Sequence, residues 1–443
     1  MDIIYSIICI TLSFSIFLLY FKKWKMLKLY LLKFNDNTSL FDLLMFVCFV
    51  KLALYYCLPS ITHLITGWKP VYAEKIAPIE VVEVYLVEAF SYLIYIYTIQ
   101  FFIKKKKPNI SMTRIKSSKL FTIGILGLAA LVYIDSTSVL GKSESSLDSL
   151  FLIIPFVRNC GIFLVLYIIV KGKTEFDKLT IYIALITLLA FLGFAITSGV
   201  RSLMVWPILF FLYFSYSYNK RMMKVYMPIG LLGVCFMVFF QESLVAMRGT
   251  DAKAIERISN MGTSKSIGTI IGNLFEEVDF RFGAMTTYGV GYFRLVDKGK
   301  SAGLNPIINS CYAPIPRRFF ENKPIPCSSD GTEEGEGMYI ATKEASATIT
   351  YSMTEPPTGA HAYWELGFLG VIILSIVPAI YVMTCMCSFR KFGILAIPLY
   401  MVIFKLEYLE PKLWVSCIIL QLVQVNFPAY FLKKIYLRMA KKH

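Results

Sequence analysis

Apolar runs of about twenty residues recur along almost the whole chain, and charged residues fall mainly between them. A bilayer core of about 30 Å requires about 20 apolar residues in a helix. The first run has neither a basic n-region nor a small-residue cleavage site, so we expect a helix there and not a signal peptide. The pattern predicts an all-α polytopic membrane protein with eleven spans, near residues 2–21, 39–58, 82–103, 119–137, 150–170, 179–198, 201–218, 225–243, 364–387, 392–407 and 413–432.

The composition excludes an ordinary soluble protein. Of the 443 residues, 57% are hydrophobic and 17% are charged, and the mean hydropathy is +0.62. In a soluble protein the net charge of +16 would suggest nucleic-acid binding. In a membrane protein, basic residues mark cytoplasmic loops instead. We therefore expect no nucleic-acid partner.

Basic residues between the apolar runs predict one orientation in the membrane. If Met1 lies outside, all six inside segments are basic: they contain Lys22-Lys23-Trp24-Lys25, Lys104 to Lys107, Lys171-Gly172-Lys173, Lys220-Arg221, Arg390-Lys391 and the tail ending Lys441-Lys442. Their agreement predicts an N-terminus outside and a C-terminus inside. In this orientation seven of the twelve arginines lie outside: Arg201, Arg248, Arg257, Arg281, Arg294, Arg317 and Arg318. Basic residues on that side do not set the topology, and a planar guanidinium is suited to binding phosphate.

One outside loop, residues 244–360, separates the first eight predicted helices (1–243) from the last three and a basic tail (361–443). A connection this long is rarely structureless in a compact protein. Its first part has apolar positions at helical spacing, which predicts short helices on the membrane surface. Next comes the proline-bracketed, cationic stretch CYAPIPRRFFENKPIPC. The acidic, glycine-rich part that follows, SSDGTEEGEGMYIATKEASATITYSMTEPPTG, predicts a mobile flap.

The two cysteines that close the cationic stretch, Cys311 and Cys327, both lie in the outside loop. We hypothesise one disulfide between them, which by closing a loop of about 15 residues would stabilise the fold by about 3 kcal/mol. The alternative is two unpaired thiols, because sequence alone does not supply the geometry of a disulfide.

Motifs for metal or nucleotide chemistry are missing from the sequence. The three histidines, His63, His361 and His443, have no paired spacing, and there is no P-loop, no G-x-G-x-x-G after a strand and no G-x-S-x-G. We therefore expect neither a metal nor another cofactor.

Two stretches at the predicted outer interface carry candidate chemistry. In AITSGVRSLMVWP, Arg201 follows a glycine-containing turn and either snorkels to the interface or receives an anionic headgroup. In TGAHAYWELGFLGVI, His361 lies where the long loop re-enters the membrane and is a candidate base. Tyr363 and Trp364 beside it are typical interfacial anchors.

These features in this order resemble the O-antigen polymerases (Wzy-type), which are related in fold to O-antigen ligases and other GT-C-type membrane glycosyltransferases. The resemblance lies in about eleven helices with the large external loop late in the chain, and in the T-S-G-x-R turn ending at Arg201. It lies also in the proline-arginine and lysine-proline pairs between Ala313 and Pro324, and in the polar and aromatic residues ahead of Gly367-x-x-Gly370. Where that family often has a glutamate ahead of the aromatic residue, this chain has His361.

The resemblance implies an enzyme of the bacterial inner membrane whose active site faces the periplasm. The growing glycan would leave its undecaprenyl pyrophosphate and pass to the non-reducing end of an incoming lipid-linked repeat unit. Because the leaving group is already activated, neither nucleotide nor metal is needed. A regulator of chain length is an implied protein partner, beside the bilayer itself.

That reaction assigns roles to named residues. Arginines would stabilise the departing pyrophosphate, and a base would take a proton from a sugar hydroxyl. The catalytic set would be His361, Arg201 and Arg317. The residues that bind pyrophosphate or sugar would be Arg248, Arg281, Arg318, Lys323, Tyr312 and Tyr363.

Two other functions stay open. An O-antigen ligase shares the donor but transfers the glycan to the lipid A core, and the proline-arginine segment favours a polymerase over it. A transporter or flippase for lipid-linked oligosaccharides would explain the many helices. It would not need an outside loop as long as 244–360, and it would more often carry internal repeats.

Overall fold

The computed structural model describes mainly helices. The described residues are 2–32, 39–66, 76–105, 165–166, 168–170, 178–198, 211, 215, 228, 284–312, 320, 322–325, 328–332, 334–335, 337–345, 358–392, 418, 421–427, 429–431 and 433–434. The α-helices among them are α1 Asp2–Leu32, α2 Ser39–Leu52, α3 Leu58–Thr66, α4 Pro78–Lys105, α5 Lys178–Ser198, α6 Ala284–Asp297, α7 Asn305–Cys311, α8 Gly337–Glu344 and α9 Thr358–Phe392. No strand occurs within these ranges.

Three of the described helices, α1, α4 and α9, are long and apolar enough to cross a membrane. This confirms a helical protein of membrane character. Helix α5 coincides with the predicted span 179–198 to within one residue. The count of eleven spans stays a prediction, because the spans near 119–137, 201–218, 225–243 and 392–407 lie almost wholly outside the described residues.

The chain divides into two compact units. Residues 1–113 and 271–443 form the first, which contains every described helix except α5, and residues 114–270 form the second. All contacts described below belong to the first unit.

The second predicted span is helical from Ser39 to Thr66 but widens into a π-helical turn at Ala53–Cys57. Pro59 lies two residues after this turn. Proline has no amide hydrogen, and its ring crowds the carbonyl four residues back. A π turn relieves such crowding without ending the helix, so the helix continues beyond the predicted end at residue 58.

Helix α1 and the helical segment 39–66 run antiparallel. Near the end of α1, Lys28 forms an ion pair of 2.6 Å with Asp42 at the start of α2. Towards the middle of α1, the hydroxyl oxygens of Ser13 and Ser60 lie 3.0 Å apart. The order of these two contacts is the one that a short connection between the first two spans requires.

Helices α1, α4 and α9 bring their C-terminal ends to the same end of the unit, which we call the lysine end. The ammonium of Lys23 donates to Oε1 of Gln100 in α4 at 2.8 Å, and Lys105 and Lys391 line one cavity. The sequence predicts that all three spans run from outside to inside, so their relative direction agrees with that prediction. That the lysine end faces the cytoplasm stays a prediction.

The long loop contains three short helices, α6, α7 and α8. Most of α6 lies in the first part of the loop, for which the sequence predicts short helices. The prediction of a mobile flap is wrong for Gly337–Glu344, which forms α8. Gly337, Ala341 and Ala345 follow one another at four-residue spacing, and the two alanines are fully buried. This smooth strip of small residues packs against Gly291 of α6, where an added Cβ would lie 2.0 Å from the carbonyl oxygen of Ala341.

The hypothesised disulfide of the loop is absent. Cys311, the last residue of α7, is a half-buried free thiol. Its intended partner, Cys327, lies outside the described residues. Sequence spacing could suggest this pair but not the approach of the two Cβ atoms that a disulfide requires.

The start of the acidic segment is a tight turn built around Asp330. Its Oδ1 accepts hydrogen bonds from the Thr332 amide at 2.8 Å, the Thr332 hydroxyl at 2.7 Å and the Ser328 hydroxyl at 2.9 Å. These bonds favour the carboxylate, and the amide of Thr332 contributes most to lowering the pKa of Asp330 below its usual value. The turn is therefore coupled to the ionisation of one aspartate.

Acidification should open this turn. Because the folded pKa lies below the unfolded one, the carboxylate stabilises the turn at pH values above the unfolded pKa, and that stabilisation is lost as the pH falls through the folded pKa. Amide hydrogen exchange of residues 328–335, relative to an unstructured peptide, should stay constant above about pH 5 and rise as the pH falls below about 4, the usual pKa of an aspartate. Asp330→Asn, which does not ionise, should remove the pH dependence. The same rise in that variant would contradict the assignment.

Candidate functional site

Helix α9 is broken near its start. Leu366 (φ −135°, ψ 22°) and Gly367 (φ 63°, ψ −151°) have non-helical dihedrals, and glycine tolerates such a positive φ. The break leaves a short half-helix, Thr358–Glu365, ahead of the long span. A Cβ added at Gly370 would lie 2.2 Å from the carbonyl oxygen of Ala362. In a straight helix eight residues span about 12 Å, so the half-helix folds back over the start of the long helix.

The turn that follows α6 satisfies the carbonyl groups that the break exposes. The Trp364 carbonyl accepts the Ser301 hydroxyl at 2.8 Å and the Ala302 amide at 3.1 Å. The Glu365 carbonyl lies 2.8 Å from the same Ser301 hydroxyl, whose single hydrogen the two carbonyls share, and accepts the Gly303 amide at 3.0 Å. The last carbonyl groups of a helix need such partners, so the long loop stabilises the half-helix at its C-terminal end.

Glu88 of α4 holds the other end of the half-helix. Its side chain is 1% exposed, and its Oε1 accepts the Ala360 amide at 2.9 Å, with the amides of Thr358 and Gly359 directed at the same carboxylate. A Cβ on Gly359 would lie 2.9 Å from that oxygen, so a glycine is needed there. A carboxylate at a helix N-terminus pairs with the first amides and complements the helix dipole.

Sequence reasoning missed Glu88. A signal was available, because a glutamate within a predicted membrane span is costly unless it has partners. The position of Glu88 also shows how far the half-helix lies from the lysine end. Glu88 precedes Lys105 by 17 residues (105 − 88) on one helix, or about 25 Å at 1.5 Å per residue. The half-helix therefore lies far from the lysine end.

The half-helix carries a buried histidine–carboxylate pair. His361 and Glu365 are both fully buried and one turn apart, with 3.3 Å between Nδ1 and Oε1. The imidazole packs edge-on against the rings of Tyr292 and Trp364, at centroid distances of 4.8 and 5.2 Å, and these two rings stack on each other at 5.3 Å. A carboxylate beside Nδ1 orients an imidazole. The arrangement suits proton transfer through Nε2.

Helix α8 covers this pair. A Cβ added at Gly337 would lie 3.0 Å from Nε2 of His361, 2.9 Å from the Trp364 ring and 3.1 Å from the Tyr292 hydroxyl. The first residue of α8 must therefore be a glycine for the helix to close onto the histidine. His361 is fully buried beneath this helix, so a bound molecule could touch its Nε2 only with α8 displaced.

The other predicted site residues fall into three groups. Tyr363, on the half-helix, is half-buried and stacks on Phe293 of α6 at 4.8 Å, so it packs the half-helix against the loop. Tyr312 and Lys323 meet at Phe320: the Tyr312 ring lies edge-on to it at 5.6 Å, and the Lys323 amide donates to its carbonyl at 3.1 Å. The remaining predicted residues lie outside the described residues: Arg201, Arg248, Arg281, Arg317 and Arg318.

One of the seven arginines predicted outside is engaged in a structural contact. Arg294 of α6 forms a bidentate pair with Glu80 of α4, with Nε to Oε1 at 2.7 Å and Nη2 to Oε2 at 2.8 Å. The hydrogen bond to Glu80 raises the pKa of Arg294 above its usual value. This guanidinium therefore joins α6 to α4 and is not open to a phosphate.

Comparison with known proteins found no match for this chain, whether to a family model, to a curated protein or to a solved structure. The functional assignment accordingly rests on the chain's own residues and their arrangement.

Proposed function

We propose that the chain is a membrane-embedded glycosyltransferase of the O-antigen polymerase type. It transfers a growing glycan from undecaprenyl pyrophosphate to the non-reducing end of an incoming lipid-linked repeat unit, at the periplasmic face of the bacterial inner membrane. The observation that supports this most is the buried His361–Glu365 pair, which lies far from the lysine end and beneath helices of the long loop. A base in that position is on the side to which the basic loops assign the periplasm.

The reaction needs one proton transfer and one charge to be stabilised. The acceptor hydroxyl oxygen bonds to the anomeric carbon, the bond from that carbon to the pyrophosphate oxygen breaks, and the bonding electrons leave with the pyrophosphate. His361 takes the hydroxyl proton, and Glu365 stabilises the imidazolium that forms. Arg201 and Arg317, with Arg248, Arg281, Arg318 and Lys323, stabilise the pyrophosphate. Tyr312 and Tyr363 offer ring faces to sugars.

The test is deletion of the gene, followed by gel analysis of the surface glycan. The deletion should reduce the ladder to a single repeat unit, and the wild-type gene should restore it. His361→Ala and Arg317→Ala should fail to restore long chains, with a loss of at least about a hundredfold for removal of a base. His443→Ala, at the end of the tail, is the matched histidine control. A wild-type ladder with both site variants present in the membrane would reject the assignment.

The same experiment separates the proposal from its rivals. A ligase defect leaves lipopolysaccharide without any repeat unit, whereas a polymerase defect leaves one. A flippase defect leaves lipid-linked units on the cytoplasmic face. Activity retained by both His361→Gln and His361→Ala would exclude the histidine as the base. The polymerase assignment would then depend only on the glycan ladder of the deletion strain.

A further inference from the structure

A cavity at the lysine end is separate from the His361 site. It has a volume of about 800 Å³ and lies between α4, α9 and the segment around the π-helix Gln421–Asn426. Cavities of about 300–1,000 Å³ are the usual size of sites for small molecules. Most of its wall is apolar, and Ile380, Leu422 and Phe427 on that wall are 39%, 54% and 62% exposed. Exposed apolar side chains on membrane helices face lipid, so the cavity opens towards the bilayer.

Positive charge is concentrated at one side of this cavity. Lys105, the last residue of α4, and Lys391, in the last turn of α9, both line it. Their ammonium groups lie 5.3 Å from the Phe101 ring and 5.2 Å from the Phe392 ring. No acidic side chain occurs among the described residues that line the cavity. An apolar cleft with two cations at its rim matches a lipid with an anionic headgroup.

The cavity also offers a buried hydrogen-bond acceptor. The side-chain oxygen of Asn426 is buried, and among the described residues it accepts no hydrogen bond. The neighbouring amide of Gln421, by contrast, donates to Ser388 at 2.9 Å and accepts from Thr384 at 3.0 Å. A buried acceptor without a donor costs free energy, so a ligand that supplies a hydroxyl would be favoured.

We propose that this cavity binds one anionic phospholipid of the bilayer, of the phosphatidylglycerol class. Its phosphate lies at Lys105 and Lys391, its glycerol headgroup supplies the donor that Asn426 lacks, and an acyl chain follows the wall past Leu422 and Phe427. Basic pockets between membrane helices bind lipid headgroups in this manner. The proposal does not depend on the glycosyltransferase assignment, because it uses none of the residues of the His361 site.

Native mass spectrometry of the full-length chain in detergent tests the proposal. Dioleoyl phosphatidylglycerol and dioleoyl phosphatidylcholine, which share their acyl chains, are titrated separately. The wild-type chain should retain one phosphatidylglycerol at concentrations where phosphatidylcholine is lost. The double variant Lys105→Gln, Lys391→Gln should weaken binding of phosphatidylglycerol roughly thirtyfold, about fivefold for each lysine, and leave phosphatidylcholine unchanged.

The matched control removes the same charge at the same end. Lys22 and Lys25 are exposed on α1 and do not line the cavity, so Lys22→Gln, Lys25→Gln should bind phosphatidylglycerol like the wild type. Equal losses in the two double variants would show an effect of overall charge and overturn the proposal. Equal affinity for the two lipids would overturn it as well, as would displacement of phosphatidylglycerol by an equimolar polyprenyl phosphate.

A cavity-filling variant tests the acyl-chain part independently of charge. Cys387 of α9 lines the cavity and is half-buried. Cys387→Trp should reduce retention of phosphatidylglycerol at least tenfold while the two lysines remain in place. Unchanged retention in a variant that elutes as the wild type does would overturn the proposal.

Discussion

Replacing Glu88 by alanine should lower the stability of the chain by about 2–4 kcal/mol, because the amides at the start of the half-helix would lose their buried acceptor. An alanine offers no oxygen to Ala360, and water cannot easily reach a position that is 1% exposed. The melting temperature of the detergent-solubilised chain should fall accordingly. Hydrogen exchange of residues 358–365 should rise more than that of the long part of α9.

Two variants on the same helix serve as controls. Glu88→Gln keeps an oxygen that can accept the Ala360 amide, so it should lose only part of the stability. Glu83→Ala removes an exposed glutamate five residues earlier on α4, and surface changes of this kind usually stay within about 0.5 kcal/mol. If the melting temperatures of Glu88→Ala and Glu83→Ala are equal, Glu88 does not hold the half-helix.

Gly291→Val should separate α8 from α6 and uncover the His361 pair. A Cβ at this position would lie 2.0 Å from the carbonyl oxygen of Ala341, a backbone atom that cannot rotate away. Overpacking of this kind typically costs about 1–3 kcal/mol. Hydrogen exchange of residues 337–345 should therefore rise, and His361 should become accessible to diethyl pyrocarbonate.

The control for this variant is Asp297→Val, the same β-branched substitution at an exposed position at the end of α6. It should leave the exchange of residues 337–345 and the protection of His361 unchanged. Gly291→Ala adds the same clashing Cβ with less bulk, so it should fall between the wild type and valine. Equal exchange in the two valine variants would contradict close packing of α8 on α6.

The closure of α8 over His361 connects these stability predictions to function. The pair Lys298–Glu344 also joins α6 to α8, so α8 is attached at both of its ends. In the proposed polymerase reaction, this cover would exclude water from the base when no lipid-linked substrate is present. Moving α8 would then belong to the catalytic cycle, on which lid motions often set the rate.

The sequence located part of the site. His361 is a candidate base because it is one of three histidines and lies where the loop re-enters the membrane, and both are properties of a short stretch. Glu365 is one helical turn further along the same stretch. Glu88 lies 272 residues away from Ala360, to which it is bonded. No local pattern can indicate that these two segments meet.

In the acidic segment, the prediction from the sequence was wrong over α8. Its low content of core-forming residues predicts a flap, since such composition buries little apolar surface. Gly337, Ala341 and Ala345 nevertheless order α8, because small residues allow two helix backbones to touch at Gly291. The composition of a segment indicates how much apolar surface it can bury. Close packing of two helix backbones depends instead on the shape of the neighbouring helix.

The sequence by itself determined the helical membrane class, the starts of the described spans to within a few residues, and the collection of basic residues at the C-terminal ends of α1, α4 and α9. The ends were predicted less well, since α1 continues to Leu32 and the second span to Thr66. Apolar length and charge are local properties, and the bilayer imposes them on each span separately. Only the tertiary structure decided that α9 breaks at Gly367, that Glu88 holds the half-helix and that α8 buries His361. Those outcomes depend on contacts between segments far apart in the chain, where fit between surfaces and the pairing of buried polar groups select one arrangement.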